Sequence, residues 1–224
     1  MKIIGICGKK GVGKNFVAEL AKGIIEKYDL KDDHYSCDQG HYGGSIRVQK
    51  RVDLIAFAEP LKEFLIACLG LQREWVYGSD KDKNNPTTIP WDNMPQVVRG
   101  NYPNKSGLMT HREVMQVFGT DVMRDMWDKN IWVNTMRRRL KNSTADYNLI
   151  TDVRFPNEVD SIREQGAKIW LVDGPQRGDD AVKNDKHSSE MLHACDIKYD
   201  VVIRNEHDTT LDDLKAQIRN GLGI

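Results

Sequence analysis

The most constraining stretch lies at the start of the chain. An apolar run, Lys2 to Cys7, leads into Gly8-Lys9-Lys10-Gly11-Val12-Gly13-Lys14-Asn15 and then into an amphipathic segment. This order reads as a buried strand, a glycine loop and the N-terminus of a helix. Glycines at 8, 11 and 13 let the backbone turn tightly and aim its N–H groups inward. There the positive helix end and the Lys14 ammonium can hold nucleotide phosphates. Gly8, Lys9, Gly11, Val12, Gly13, Lys14 and Asn15 are therefore the candidate phosphate-binding residues. Asn15 departs from the loop pattern, because a Ser or Thr there would give a hydroxyl to Mg²⁺. Its amide is left to ligate the metal weakly, to act through water, or to leave the metal to other groups.

The rest of the chain alternates. Phe16, Val17, Leu20, Ile24 and Ile25 recur at helical spacing, predicting a helix to about Tyr28. The polar stretch from Lys31 to Gln49 contains His34, Cys37 and His41, too few ligands in too irregular a pattern for a metal site. A strand from Val52 to Ala58 runs into Glu59-Pro60-Leu61-Lys62, with Pro60 suited to a first helical turn. Leu61, Phe64, Leu65, Cys68 and Leu69 give that helix its expected buried stripe, and Lys62 faces out near its start. From Gly78 to Gly107 the composition shifts to Asp, Asn, Lys and four prolines. We read this as a long insertion on the substrate side, the alternative being a mobile surface excursion.

Thr110-His111-Arg112-Glu113 forms a capping box opening a helix with Val114, Val117 and Phe118 on one face and Arg112 and Gln116 off it. Gly119-Thr120-Asp121 is expected to interrupt it. In the next helix Ile131, Trp132, Met136 and Leu140 point inward, and the row Arg137-Arg138-Arg139 reads as a solvated end. Tyr147 to Thr151 is a further strand that delivers Asp152 and Arg154, two apart and so on one side, to its C-terminal edge. Pro156 and Gly166 bracket a helix, and Lys168 to Val172 is a strand. A charged loop at about 174–187, with Arg177 and Lys183, is a candidate lid, followed by His187 and Glu190. Tyr199 to Arg204 makes the last strand, and Thr209 to Leu222 a closing helix. Alternation of this kind implies an α/β fold with a parallel sheet covered by helices on both faces.

These are the parts that phosphoryl transfer requires: a loop for a triphosphate, an acid at a neighbouring strand end, and separated basic residues. Lys14, Mg²⁺ and arginines would neutralise charge on the transferred group while a second site aligns the acceptor. Asp152 is a candidate metal ligand or hydrogen-bond acceptor, and the Asp152 and Arg154 pair could also be a plain salt bridge at a strand end.

With these residues in view, the chain resembles the bacteriophage deoxynucleoside monophosphate kinases over nearly its whole length. The resemblance lies in Gly8 to Lys14, in Ala58-Glu59-Pro60-Leu61-Lys62, and in Arg112 with Met115 to Asp121 and Trp132-Val133. It continues in Thr151-Asp152-Val153-Arg154 with Glu158, and in His187-Ser188-Ser189-Glu190. It implies a P-loop, adenylate-kinase-like fold, ATP as donor, Mg²⁺, a deoxynucleoside monophosphate acceptor in a cleft between the core and the inserted helices at about 78–140, and a homodimer. By position it puts Lys10 and Lys62 near phosphates, and Arg112, Gln116, Thr120 and Trp132 around the acceptor. Arg154 would stabilise transferring charge, with Glu158 also on the substrate side. The family's usual Asp after the loop lysine is Asn15 here.

Two other readings stay open on sequence. Animal-type phosphomevalonate kinase is similar in the loop, the Pro-Leu-Lys segment and the Asp-x-Arg strand end, but Trp132 and Gly119-Thr120-Asp121 match the phage enzymes better. A nucleotide-binding module that lost catalysis would explain Asn15. Composition narrows the remainder: Lys plus Arg and Asp plus Glu are balanced at 33 each, so no net field draws the protein to nucleic acid or anionic membranes. The glycines and lysines that break the opening apolar run argue against a signal peptide or membrane span. Cys7, Cys37, Cys68 and Cys195 lack metal or disulfide spacing, as expected of a cytoplasmic protein.

Overall fold

The computed structural model describes residues 1–32, 51–176 and 197–224. His34, Cys37 and His41, most of the lid-like loop, and His187 to Glu190 lie outside the described residues. The chain opens with β1 (Lys2–Cys7), α1 (Lys14–Asp32) and β2 (Val52–Ile55). It continues through α2 (Glu59–Leu69), α3 (Arg73–Tyr77), α4 (Asp80–Lys83), β3 (Pro86–Pro90), α5 (Gln96–Arg99), β4 (Leu108–Thr110) and α6 (His111–Gln116). The last elements are α7 (Ile131–Asn142), β5 (Tyr147–Ile150), α8 (Pro156–Arg163), β6 (Lys168–Asp173), β7 (Val201–Arg204) and α9 (Leu211–Leu222). Two compact units result: Met1–Ala56 with Arg139–Ile224, and Phe57–Arg138.

The first unit is built on five parallel strands in the order β2-β5-β1-β6-β7. Strands covered on both faces are near-continuous apolar runs, and every residue of β5 and all of β1 but Lys2 are buried, the one amide side chain, Asn148, accepting from Ser143 Oγ. On one face Ile4, Ile6, Trp170 and Ile203 pack with Val17, Ala18, Ala21 and Ile25 of α1 and Leu214 and Ile218 of α9. Of the expected α1 stripe, Val17, Leu20, Ile24 and Ile25 face this core and Phe16 does not. Phe16 is 51% exposed, and two alanines form the contact instead, their small side chains letting the helix lie close to the sheet. Leu211, which helical spacing in the closing segment predicts to point inward, is exposed at the start of α9. On the other face α8 packs against β1, where a Cβ at Gly5 would collide with Ile162 Cδ1.

The second unit has its own core of Leu61, Leu65, Val76, Trp91, Val98, Met109, Val114 and Val117. Only Leu61 and Leu65 of the α2 stripe are buried. Phe64 and Cys68 face out, because the contact runs along one i,i+4 ridge. The proline-rich insertion is folded: β3 and β4 pair antiparallel, Trp91 is 1% exposed, and the Tyr102 ring lies 5.0 Å from it. Gly119 does not break the helix that α6 begins. Val117–Trp127 continues in π-helical form, a widening often found at functional sites. A Cβ at Gly119 would lie 2.6 Å from Leu61 Cδ2, so glycine serves there as a point of close approach. Arg137 and Arg138 are exposed, as a solvated helix end requires.

Candidate active site

The first unit gathers the glycine loop, Asp152, Arg154 and Glu158, because β1 and β5 are adjacent and parallel and their following loops leave the same sheet edge. The loop turns at Gly8 (φ 150°), Gly11 (φ 78°) and Gly13 (φ 93°), a backbone region that L side chains rarely adopt. Space is short as well: a Cβ on Gly8 would sit 2.5 Å from the Val172 carbonyl oxygen, and one on Gly13 2.7 Å from Asn205 Nδ2. Lys14 Nζ donates to the carbonyls of Gly8 and Lys9 at 2.8 and 2.7 Å, which holds the ammonium at the loop. Lys9 and Asn15 are exposed and Lys10 half-buried, while Val12 is buried.

Asp152 and Arg154 are half-buried on either side of Val153, which is 1% exposed. Glu158 is 3% exposed, and its Oε2 accepts from the backbone N–H groups of Arg154 (2.8 Å) and Phe155 (3.1 Å). That carboxylate shapes the turn that presents Asp152 and Arg154. Burial pushes the Cys7 thiol up to about 12; Glu158 adds to the effect, and Lys14 and Arg163 partly oppose it. Among the described residues no cluster of His, Cys, Asp or Glu is sufficient to hold a metal alone. The Asn15 amide and the Asp152 carboxylate offer oxygen donors, which suits a magnesium ion that keeps water and phosphate oxygens in its shell.

Lys62, Arg112, Gln116, Thr120 and Trp132 all fall in the second unit. Lys62 Nζ lies 4.5 Å from the centroid of the Tyr77 ring. Tyr77 donates its hydroxyl to Glu63 Oε1 at 2.7 Å, and Arg73 grips the same carboxylate with both Nη groups. Those bonds from Arg73 and Tyr77 hold the Glu63 carboxyl below its usual range. Partial burial, reinforced by Glu63, pushes the Tyr77 hydroxyl up to about 12. Arg112 opens α6 beside the Thr110 cap, donating from Nε to Asn84 Oδ1 at 3.0 Å and from Nη2 to the Asp80 carboxylate. Gln116 ends α6, and Thr120, 8% exposed, lies in the π-helical stretch. Trp132 spends its indole N–H on the Gly119 carbonyl at 2.9 Å, so it can meet a base only through its ring.

The supporting roles of two residues, Asn205 and Tyr102, escaped the sequence reading. Asn205, after β7, is 2% exposed and donates from Nδ2 to the Val12 carbonyl at 2.8 Å. Tyr102 donates to Asp121 Oδ2 at 2.6 Å, joining the insertion to the π-helical stretch. Tyr102 at least stands out as an isolated aromatic in a polar segment; nothing in the spacing marks Asn205.

Comparison with known proteins adds to this geometry. The profile of the family described as deoxynucleotide monophosphate kinase matches residues 46–218. A protein of Acanthamoeba polyphaga mimivirus, provisionally named deoxynucleotide monophosphate kinase, is 28% identical over 97% of this chain and 94% of its own. The deoxynucleoside-5'-monophosphate kinase of Escherichia phage T5 is 26% identical with the same coverage, 97% and 94%. The deoxynucleotide monophosphate kinase of Enterobacteria phage T4 is 28% identical over 65% of this chain and 57% of its own.

Proposed function

The chain belongs to the deoxynucleotide monophosphate kinase family, and from that premise we propose that it moves the terminal phosphoryl group of ATP onto a deoxynucleoside monophosphate, giving the diphosphate and ADP. The observation that carries this reading at the site is the glycine loop. Its positive-φ glycines and the Lys14 ammonium are gathered at the strand end next to Asp152 and Arg154. Loop N–H groups and Lys14 hold the ATP phosphates, and Arg154 stabilises charge on the group in transit. Lys10, Lys62 and Arg112 take the acceptor phosphate. Gln116, Thr120 and the Trp132 ring surround the base and sugar, and Glu158 keeps the Arg154 turn in shape. Asp152, with the Asn15 amide, holds magnesium, which when bound supplies charge neutralisation on the phosphates. The working form is a homodimer.

The test is ADP release from ATP and Mg²⁺ with each of the four dNMPs, the four NMPs and phosphomevalonate in parallel. Turnover with one or more dNMPs is expected. Binding of ATP without turnover of any dNMP would overturn the proposal.

A further inference from the structure

Between α2 and β3 the chain makes a short excursion, residues 72–85, which contains none of the expected acceptor residues yet touches both Lys62 and Arg112. Its two ends are tied by one side chain. His111, fully buried, faces Gln72 Oε1 with Nε2 (3.1 Å) and the Asn85 carbonyl with Nδ1 (2.9 Å), and its ring stands edge-on to Trp75. Inside the excursion, Gly78 has no room for a side chain: a Cβ would collide with the Glu74 carbonyl and lie 2.7 Å from Asp82 Oδ2. Ser79 and Asp82 then cap α4 reciprocally, at 2.8 and 3.3 Å. The segment is thus braced along its length.

Its contacts to the two cations are specific in geometry. Tyr77, pinned through its hydroxyl to Glu63, lays its ring under the Lys62 ammonium. Asp80 and Asn84 occupy Nη2 and Nε of Arg112, while Nη1 donates to nothing among the described residues. A guanidinium held along one edge has its plane set, and the remaining nitrogen points in a defined direction. An exposed ion pair by itself would contribute little stability, so the orientation matters more than the energy of the pair.

We propose that residues 72–85 form a positioning strap for the acceptor cations: Tyr77 seats the Lys62 ammonium, and Asp80 with Asn84 turns Nη1 of Arg112 to the acceptor phosphate. This rests on the reading that Lys62 and Arg112 bind that phosphate. Tyr77 and Asp80 are positioning residues that touch no substrate, and they lower the cost of ordering two long side chains when the dianion arrives.

The experiment compares KM for dNMP, KM for ATP and kcat in Asp80→Asn, Tyr77→Leu and Tyr77→Phe, with Lys62→Ala and Arg112→Ala as references. Asp80→Asn and Tyr77→Leu should each raise the acceptor KM about tenfold, the loss of one oriented charge-assisted contact, and leave the ATP KM unchanged. Tyr77→Phe keeps the ring and should recover most of the loss. In an Arg112→Ala background Asp80→Asn should add nothing. If the two reference variants leave the acceptor KM unchanged, the reading of Lys62 and Arg112 fails. If they raise it while Asp80→Asn leaves it unchanged or lowers it, the strap fails and that reading stands. Asp80→Asn keeps the side-chain shape at a partly exposed position, so it decides the matter even if Tyr77→Leu does not fold.

Discussion

The side-chain amide of Asn205 donates to the backbone carbonyl of Val12 at 2.8 Å, joining positions 193 residues apart. The same amide nitrogen would lie 2.7 Å from a Cβ on Gly13, so the end of β7 buttresses the glycine loop from behind. Asn205→Ala leaves the Val12 carbonyl buried without this donor, at a cost of about 1–3 kcal/mol. The loss falls on the loop, so the KM for ATP should rise roughly tenfold while the acceptor KM holds. Steady-state kinetics with each substrate varied in turn checks this. An unchanged KM for ATP would mean that the loop keeps its shape without Asn205.

Lys14 carries the second prediction. Its ammonium rests on two loop carbonyls, within reach of any phosphate the loop cradles. Lys14→Ala should lower turnover by roughly 10³-fold or more, the range for losing a principal charge contact in phosphoryl transfer. Lys14→Arg should not rescue it, since a planar fork cannot replace a compact ammonium folded back on two carbonyls. Single-turnover rates at saturating ATP separate this from weakened binding, and a near-normal rate in Lys14→Ala would defeat the assignment.

Why some of this was legible in sequence and some was not comes down to range. The glycine loop, the parallel strands and the Thr110 cap are written in residues a few positions apart, where steric rules and periodicity act directly. Asn205 and Val12 meet only because β7 and β1 share a sheet, and no local pattern records that. Phe16 and Phe64 misled because apolar character was taken for burial, whereas contact follows the i,i+4 ridges through Ala21 and Leu65. Gly119 misled differently. Glycine weakens an isolated helix by about 1 kcal/mol, but here the missing side chain gives room to Leu61, and the helix continues.

Glu113 makes stability depend on acid. Partial burial pushes its carboxyl up, but the Lys105 ammonium at 2.6 Å and the Thr110 N–H at 2.8 Å outweigh burial and hold it below its usual 4.5. A carboxyl depressed in the folded state stabilises the protein above its unfolded value, and that contribution disappears as pH falls through the lower folded value. Glu113→Gln keeps an amide oxygen for the Thr110 N–H but loses the charge paired with Lys105, so it should be less stable at pH 7 by about 0.5–1 kcal/mol. The difference from the parent should close as pH drops below about 4.5. Thermal unfolding of both proteins from pH 7 to pH 3 tests it; a gap that stays constant into acid would exclude the carboxylate as its source.

Gly119 and Leu61 allow a prediction in which stability and activity separate. A Cβ at Gly119 would stand 2.6 Å from Leu61 Cδ2, the tip of one flexible side chain, so the overpacking cost of Gly119→Ala should sit near the low end, about 1 kcal/mol. Replacing glycine by alanine within a helix returns about the same amount, so the denaturation midpoint should barely move. Gly119→Val cannot be accommodated by moving one tip, and its loss should reach about 3 kcal/mol. The carbonyl of Gly119 also anchors Trp132 through the indole N–H at 2.9 Å, so the part of the strain that the Leu61 tip does not relieve shifts this backbone and displaces that ring. Gly119→Ala should accordingly fold as well as the parent and raise the acceptor KM several-fold, about 1 kcal/mol of binding. Combining it with Leu61→Ala, which removes the obstructing tip, should return the acceptor KM toward the parent value while costing stability by 2–5 kcal/mol. If the double variant keeps the raised KM, the effect of Gly119 does not pass through Leu61.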